Sequence, residues 1–432
     1  MQSRIGIIGA GISGLAAALA LAKRGIHVEV FERGNKTGGL ISTFDFDGPR
    51  IERYYHFLCR EDHGYFDLCR ELGLEDRLHW RRPKTGFHYE GTTYPFTSPI
   101  DLLRFSPIPF AQRVRFGAFA LEARLRQEWK QLDELAAKPW LIDRLGTRAF
   151  EVIWRPLLEL KFGDDYDRIS AAWVWHRLHR VARSKGSMGF LEGGSAVLLD
   201  ALIRRLRELG VPLHLGKQAK CVRVESGRVQ GIDFSNGETF AGDHVISTIP
   251  LDLTASLLPP EYDSYAAQLR NIRYIGVVCV VLKLKRRLTP YFWLNVHAPS
   301  IPFNGIIEYT NLNPNQGQGE HIVYVPYYVA TDKPLYTAED ESVFRQSWDA
   351  VKQLGSGICD SDLLGHRVFR ASHAQAVCPV GFLKSLPNSQ TPIAGLRLLD
   401  STYLYPEDRS QSGLILNAHA CVEAIAREAG VP

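Results

Sequence analysis

The chain has 432 residues, 45% hydrophobic and 23% charged, with a formal net charge of +4 at pH 7. That balance suits a soluble globular protein of two intertwined domains, and the small charge gives no electrostatic case for a nucleic-acid partner. Seven cysteines (59, 69, 221, 279, 359, 378 and 421) form no CxxC pair, so they are expected as buried small hydrophobes of a reducing cytoplasm rather than a disulfide framework.

The first segment, RIGIIGAGISGLAAALALAKRGIHVEVFER, is uncharged from Ile5 to Ala22. A spanning helix needs about 20 apolar residues, and glycines punctuate this run at 9, 11 and 14. It is expected to be a short buried strand (Ile5, Ile7, Ile8), a turn from Gly9 to Gly14, a helix from Leu15 to Arg24 and a second strand ending at Glu32. A βαβ unit with GxGxxG at the turn is a dinucleotide fingerprint. Gly9 permits the tight turn, Gly11 lets backbone approach a pyrophosphate, and Gly14 lets helix and strand pack closely. The helix N-terminus presents free N–H groups and partial positive charge to phosphates. A carboxylate at Glu32 accepts ribose hydroxyls and disfavours a 2′-phosphate.

Gly38-Gly39 follows Glu32 by six residues, and a plain NAD domain has no need of such a pair. With it the chain resembles the FAD-dependent amine-oxidase superfamily, which includes protoporphyrinogen oxidases, carotenoid desaturases, amine oxidases and UDP-galactopyranose mutases. The resemblance recurs at 191–250, with turns at Ser226-Gly227 and Asn236-Gly237, and at 395–430, where a strand leads to a carboxylate and a helix starting near Ser412-Gly413. It implies an α/β fold. A discontinuous Rossmann-like FAD-binding domain (1–82, 189–253, 386–432) is interleaved with an α+β substrate domain, helical in 83–188 and β-rich in 254–385. It also implies FAD contacts at Gly9, Gly11, Ile12, Ser13, Gly14, Glu32, Arg33, Gly38, Gly39, Leu40, Val222, Asp400, Ser412, Gly413 and Leu414. One departure is Leu399 before Asp400, where the family carries glycine. The YPEDRS loop resembles the mutase branch more than the amine oxidases proper.

Residues 101–185 hold 16 Lys/Arg against 11 Asp/Glu and five of the eight tryptophans (129, 140, 154, 173, 175). The plain reading is a solvated helical cap with aromatic core residues. The sharper one is a basic, aromatic surface that meets lipid headgroups or a lipid-linked substrate, with 105–126 as a peripheral membrane contact. In the β-rich block, Phe303, Asn304, Tyr309, Tyr324 and Tyr327 are candidates to line a pocket, and 311–320 is expected as a surface loop or lid. His176 and His179 lack a metal-site pattern, and no metal is expected.

For chemistry at the flavin, the resemblance points to His56, flanked by Tyr54 and Tyr55, as the acid/base group. Arg409 and Asp408 are placed to bind substrate phosphate or to clamp their own loop. The leading expectation is an FAD-dependent oxidoreductase of oxidase or desaturase type, passing a hydride from a lipid, isoprenoid, amine or sugar-derived small molecule to flavin N5. The alternative is a mutase-like isomerase acting on a nucleotide- or lipid-linked sugar. A non-catalytic flavin-binding scaffold is the third. With no second GxGxxG, the expected electron acceptor is oxygen, a quinone or another protein. The expected location is cytoplasmic, with peripheral contact at the inner membrane face.

Overall fold

The strands β1 (Arg4–Ile8) and β2 (His27–Glu32) run parallel, side by side, joined by α1 (Ile12–Lys23). The computed structural model describes residues 3–183, 186–354, 357–407 and 409–428. α1 begins three residues earlier than Leu15, with Gly11 as its N-cap. Every residue from Ile12 to Leu21 is buried, and a helix enclosed on all sides must be apolar all round. The uncharged run is therefore a core strand and an enclosed helix, and no helix among the described residues is long and apolar enough to cross a membrane.

Further along lie α2 (Phe110–Leu125), α3 (Ala171–Arg183) and α4 (Gly194–Glu208). Then come β3 (Tyr274–Leu284), β4 (His321–Val329), β5 (Leu363–Ala376) and finally α5 (Gln411–Glu428). The βαβ unit belongs to a five-stranded parallel sheet in the order Leu396–Leu398, His244–Ser247, β1, β2, Leu213–Leu215. Three distant stretches of chain thus meet on one sheet, and α1, α4 and α5 share its core. A small antiparallel sheet is attached beside it, opened by the hairpin at Ser226-Gly227. Both turn residues have positive φ, 50° and 77°, the twist that a two-residue hairpin requires.

A second sheet has seven strands, in the order β5, β3, β4, Gly305–Glu308, Trp293–His297, Thr85–Tyr89, Thr92–Pro95. The last two come from the earlier block and join through a parallel pairing with Trp293–His297. Alternation along β4 separates its tyrosines. Tyr324 packs with Phe46, Ile51 and Tyr309, on the side where Tyr54 and Tyr55 also pack. Tyr327 lies with Phe303 in the core on the opposite face and pairs with Ser347 Oγ at 2.8 Å. Tyr327 and Phe303 therefore cannot share a pocket with Tyr324.

Trp140, Trp154, Trp173 and Trp175 are buried in the core of the helical block, with Trp129 packed against its edge; this is the plain reading of aromatic core residues, and the sharper expectation of an aromatic surface is corrected. Segment 311–320 is no lid: Leu312 and Asn313 are fully buried and Gln316 donates to Arg50 O at 2.7 Å.

The fully buried carboxylate of Glu308 accepts from Leu288 N, Thr289 N and Thr289 Oγ1 at 2.7–3.2 Å. Burial outweighs these donors and raises its pKa from 4.5 to about 7. A carboxyl whose folded pKa lies above its unfolded value stabilises the fold fully below about pH 4.5, and this is lost as pH rises through 7. The shift corresponds to roughly 3 kcal/mol. Glu308→Gln keeps the acceptor and removes the titration. Thermal melts of the variant between pH 4.5 and 7 are expected to decline less with pH than those of the wild type.

Candidate functional site

The site starts at the turn between β1 and α1. Gly9 has φ +105°, and its N–H donates to Phe31 O at 2.8 Å, which binds the turn to β2. A Cβ at Gly14 would lie 2.1 Å from Gly9 O, so no other residue fits there. A Cβ at Gly11 would meet nothing within 4 Å; its side faces open space. α1 has no side-chain cap and no acidic residue in its first turn. Its unspent N–H groups and the positive end of its dipole are an anion site.

Two further pieces complete this cradle. Glu32 accepts from Ala10 N (3.0 Å) and Gly34 N (2.7 Å), one bond to each oxygen, leaving lone pairs for sugar hydroxyls. Gly38 bridges to Gly11 and donates its N–H to Ala10 O at 2.7 Å. Gly38 and Gly39 have φ of 109° and 54°, and a Cβ at Gly38 would press on Leu199 at 2.8 Å. Arg33 is exposed and Leu40 half-buried beside them. The residues fit a dinucleotide whose diphosphate rests on α1.

The other predicted contacts come from distant segments. Val222 is fully buried and its N–H is committed to Leu257 O at 2.8 Å, while neighbouring Cys221 stays half-buried on the same strand. Asp400 accepts from Thr402 N (2.8 Å) and Tyr274 Oη (3.0 Å), and burial raises its carboxyl pKa. Leu399 turns into the core of the parallel sheet. α5 begins at Gln411, capped by Ser410, whose Oγ and O accept from Gly413 N and Leu414 N. Ser412 is buried in this first turn, and Gly413 lies against Leu404 and Glu407.

The structure brings His56, Tyr55 and Arg409 together. Burial, with the charge of Arg409 as the second cause, lowers His56 to about 4. Its imidazole is therefore neutral at pH 7, with Nδ1 buried and lacking a hydrogen-bond partner. It accepts or donates as a neutral ring and holds no proton as a resident acid. Burial raises the hydroxyls of Tyr54 and Tyr55 far above 10. Tyr55 stands edge-on to Trp293, with ring centres 5.5 Å apart. Arg409 donates to Ala374 O at 2.9 Å and to Tyr328 Oη. Asp408 lies outside the described residues.

Several polar residues at this place escape the sequence reading. Tyr328 shares the face of β4 that carries Tyr324, and two-residue periodicity was the available signal. The buried Lys161 has its ammonium 4.5 Å from the Tyr328 ring centre and 4.9 Å from that of Trp173. Arg180 on α3 joins Asp62 (2.8 Å), Cys59 Sγ (3.1 Å) and Glu407 (3.2 Å), tying the segment after His56 to the loop before Arg409. Glu52 accepts from Ser195 N at 2.7 Å and so caps α4. Among the former metal candidates, His179 Nδ1 lies 2.7 Å from Ala123 O, a packing bond.

Comparison with known proteins gives the family. A family model described as flavin containing amine oxidoreductase matches residues 12–392. The 15-cis-phytoene desaturase of Synechococcus elongatus is 26% identical over 314 residues, covering 66% of this chain and 66% of its own. The zeta-carotene-forming phytoene desaturase of Myxococcus xanthus is 25% identical over 336 residues, covering 68% and 62%. The matches therefore span slightly less than two thirds of these relatives. A solved structure of reduced UDP-galactopyranose mutase is alike in fold, with TM-score 0.79 at 19% identity, covering 100% of this chain and 96% of that one.

Two glycine variants separate cradle from scaffold. Gly11→Ala places its methyl in open space at an ordinary φ of −75°. It is expected to leave the melting temperature of the flavin-stripped protein unchanged and to weaken FAD binding at least tenfold. Gly14→Ala forces overlap with Gly9 and is expected to cost about 1–3 kcal/mol of stability before any cofactor is added. Differential scanning calorimetry with and without FAD reads both. Histidine side-chain NMR is expected to find His56 titrating near 4. In Arg409→Gln the midpoint should rise but stay below 6.5, because burial is the larger cause.

Proposed function

Because the chain belongs to the flavin-containing amine oxidoreductases, we propose that it is an FAD-dependent oxidoreductase taking a hydride from an amphipathic lipid- or isoprenoid-type substrate. The substrate lies between the FAD-binding segments and the seven-stranded sheet. The observation that carries this reading is the bare, glycine-lined α1 terminus that suits a diphosphate, and the grouping of Tyr55 and His56 around Arg409 supports it. Bound FAD supplies a two-electron acceptor at N5. Gly11, Ile12, Ser13 and Gly14 would hold its diphosphate and Glu32 its ribose, and the first turn of α5, two residues after Arg409, would supply the positive helix end that favours a reduced, anionic ring.

The protein groups orient and exclude water. Neutral His56 offers Nδ1 to the substrate, and Arg409 opposes its protonation. A proton released when hydride leaves therefore passes to solvent or to a basic substrate atom, since an imidazole with a pKa near 4 is a poor resting place for it at pH 7. Tyr55 stays protonated and acts as a hydrogen-bond donor.

The lipid side of the proposal rests on the short helix Pro99–Arg104 and α2. Ile100, Leu103, Phe110, Val114, Leu121 and Leu125 are exposed by 43–69%. Positions 110, 114, 121 and 125 fall on one helical stripe. Arg104, Arg115 and Arg124 are exposed beside it, a pairing of apolar stripe and cations that suits an anionic membrane surface. Arg113 is half-buried, donating to Leu103 O and Ile108 O, and serves the fold.

Anaerobic mixing of the yellow holoprotein with a lipid extract of the source cells tests the redox reading. Bleaching of the flavin is the expected result. Turnover only after prior reduction, with no reductant consumed, would replace it with isomerase chemistry. Sedimentation with anionic vesicles tests the lipid contact: the wild type is expected to pellet at low salt, and Phe110→Glu/Leu121→Glu to stay in the supernatant at least tenfold more. A wild type that never pellets contradicts the membrane contact alone.

A further inference from the structure

Arg180 on α3 spends its guanidinium at one junction. Nη2 donates to both oxygens of Asp62 (3.0 and 2.8 Å), Nε to Cys59 Sγ (3.1 Å) and Nη1 to Glu407 (3.2 Å). Asp62 is closed onto the same turn, accepting from Cys59 N at 2.7 Å. Cys59 and Asp62 come three and six residues after His56, and Glu407 comes two residues before Arg409. A residue spans at most about 3.6 Å, so the grip lies no more than about 7 Å of chain from Arg409 and about 11 Å from His56. Its base is rooted: Trp173, Val174 and Trp175 fix α3 in the helical core, and His179 Nδ1 lies 2.7 Å from Ala123 O on α2. The bonds of Arg409 to Ala374 O and Tyr328 Oη tie it to the seven-stranded sheet. Tyr55 and Phe57, on either side of His56, pack against the same core as Tyr328. His56 and Arg409 therefore stay together only while both segments keep their places.

We propose that Arg180 is a positioning residue of the site: it sets the distance between His56 and Arg409 by holding the chain beside each. This rests on the reading above, in which His56 and Arg409 face the substrate, and adds a residue that acts through them. The side chains of Arg180 and Asp62 are only 23% and 8% exposed, and an ion pair so enclosed gains little net stability over apolar packing. What it adds is geometry. A planar fork meets three partners in fixed directions, which the single ammonium of a lysine cannot copy.

The titration of the His56 side chain in the holoprotein, followed by NMR and assigned with His56→Gln, reads that distance. Arg409 is the charge that opposes protonation of His56, and Tyr54 and Tyr55 beside it stay neutral. Arg180→Lys keeps the charge and loses the fork. Its midpoint is expected to rise from about 4 by about half a pH unit or more, in the direction of Arg409→Gln. In Glu407→Gln, which cuts one arm, charge and placement have opposite signs. Removing an anion lowers the midpoint of a nearby imidazole, whereas letting Arg409 drift away raises it; a rise is expected. The double variant Arg180→Lys/Arg409→Gln is expected to titrate as Arg409→Gln does, because the clamp acts through Arg409. The inference is overturned if Arg180→Lys titrates as the wild type does, if Glu407→Gln leaves the midpoint in place or lowers it, or if the double variant exceeds Arg409→Gln by the full effect of Arg180→Lys. Should Arg180→Lys fail to fold, Glu407→Gln decides alone. The titration needs no turnover, so a folded chain that takes up no flavin yet shows these shifts fails the parent reading and leaves the clamp standing.

Discussion

The contact on which the rest depends is the one between Gly14 and Gly9. The 2.1 Å that would separate a Cβ at Gly14 from Gly9 O means that helix and turn meet backbone to backbone. This closeness lets α1 start at Ile12, with three residues between it and the end of β1 and no side chain capping its first turn. The same closeness makes α1 a buried element, so its sequence can hold neither charge nor bulk, and it is packed by α4 and α5 from far along the chain. Cofactor site and domain core are thus one construction.

The surroundings of Arg409 depend on a different device, the chain from 400 to 410. Each part of it is held from another element. Tyr274 of β3 donates to Asp400, and Tyr405 Oη donates to Asp133 at 2.5 Å and lies 2.7 Å from Ser170 Oγ. Arg180 of α3 grips Glu407 and Asp62 together. Arg409 closes the set on Ala374 and Tyr328. Because each clamp comes from the helical block or the seven-stranded sheet, the loop transmits their position to the start of α5. A shift of either block would move Arg409 relative to His56.

The parts legible in the sequence are those set by local rules. The βαβ unit, the Ser226-Gly227 hairpin and β3 follow from glycine geometry and from β-branched runs. The family resemblance carried the fold class and pointed to His56, which the fold brings near Arg409 from far along the chain. What stayed hidden was relational. Tyr327 and Tyr328 are neighbours in sequence on opposite faces of β4, and only the pairing with β3 says which face is which. The tryptophans of 101–185 suited either a core or a surface, because burial of a helix depends on what packs against it. The polarity of 311–320 suggested a surface loop, yet Asn313 and Gln316 satisfy one another at 3.1 Å inside the protein. Lys161 and Arg180 lack any motif; their meaning comes from the aromatic rings and carboxylates that the fold delivers to them.

The central claim is that this cradle selects a dinucleotide flavin. It is tested most directly by titrating the flavin-stripped, folded chain with FAD and with NAD, following binding by calorimetry. The account predicts saturation at one FAD per chain, recovery of the yellow colour, and much weaker uptake of NAD. A folded chain that binds neither, or that takes NAD as readily as FAD, would contradict it.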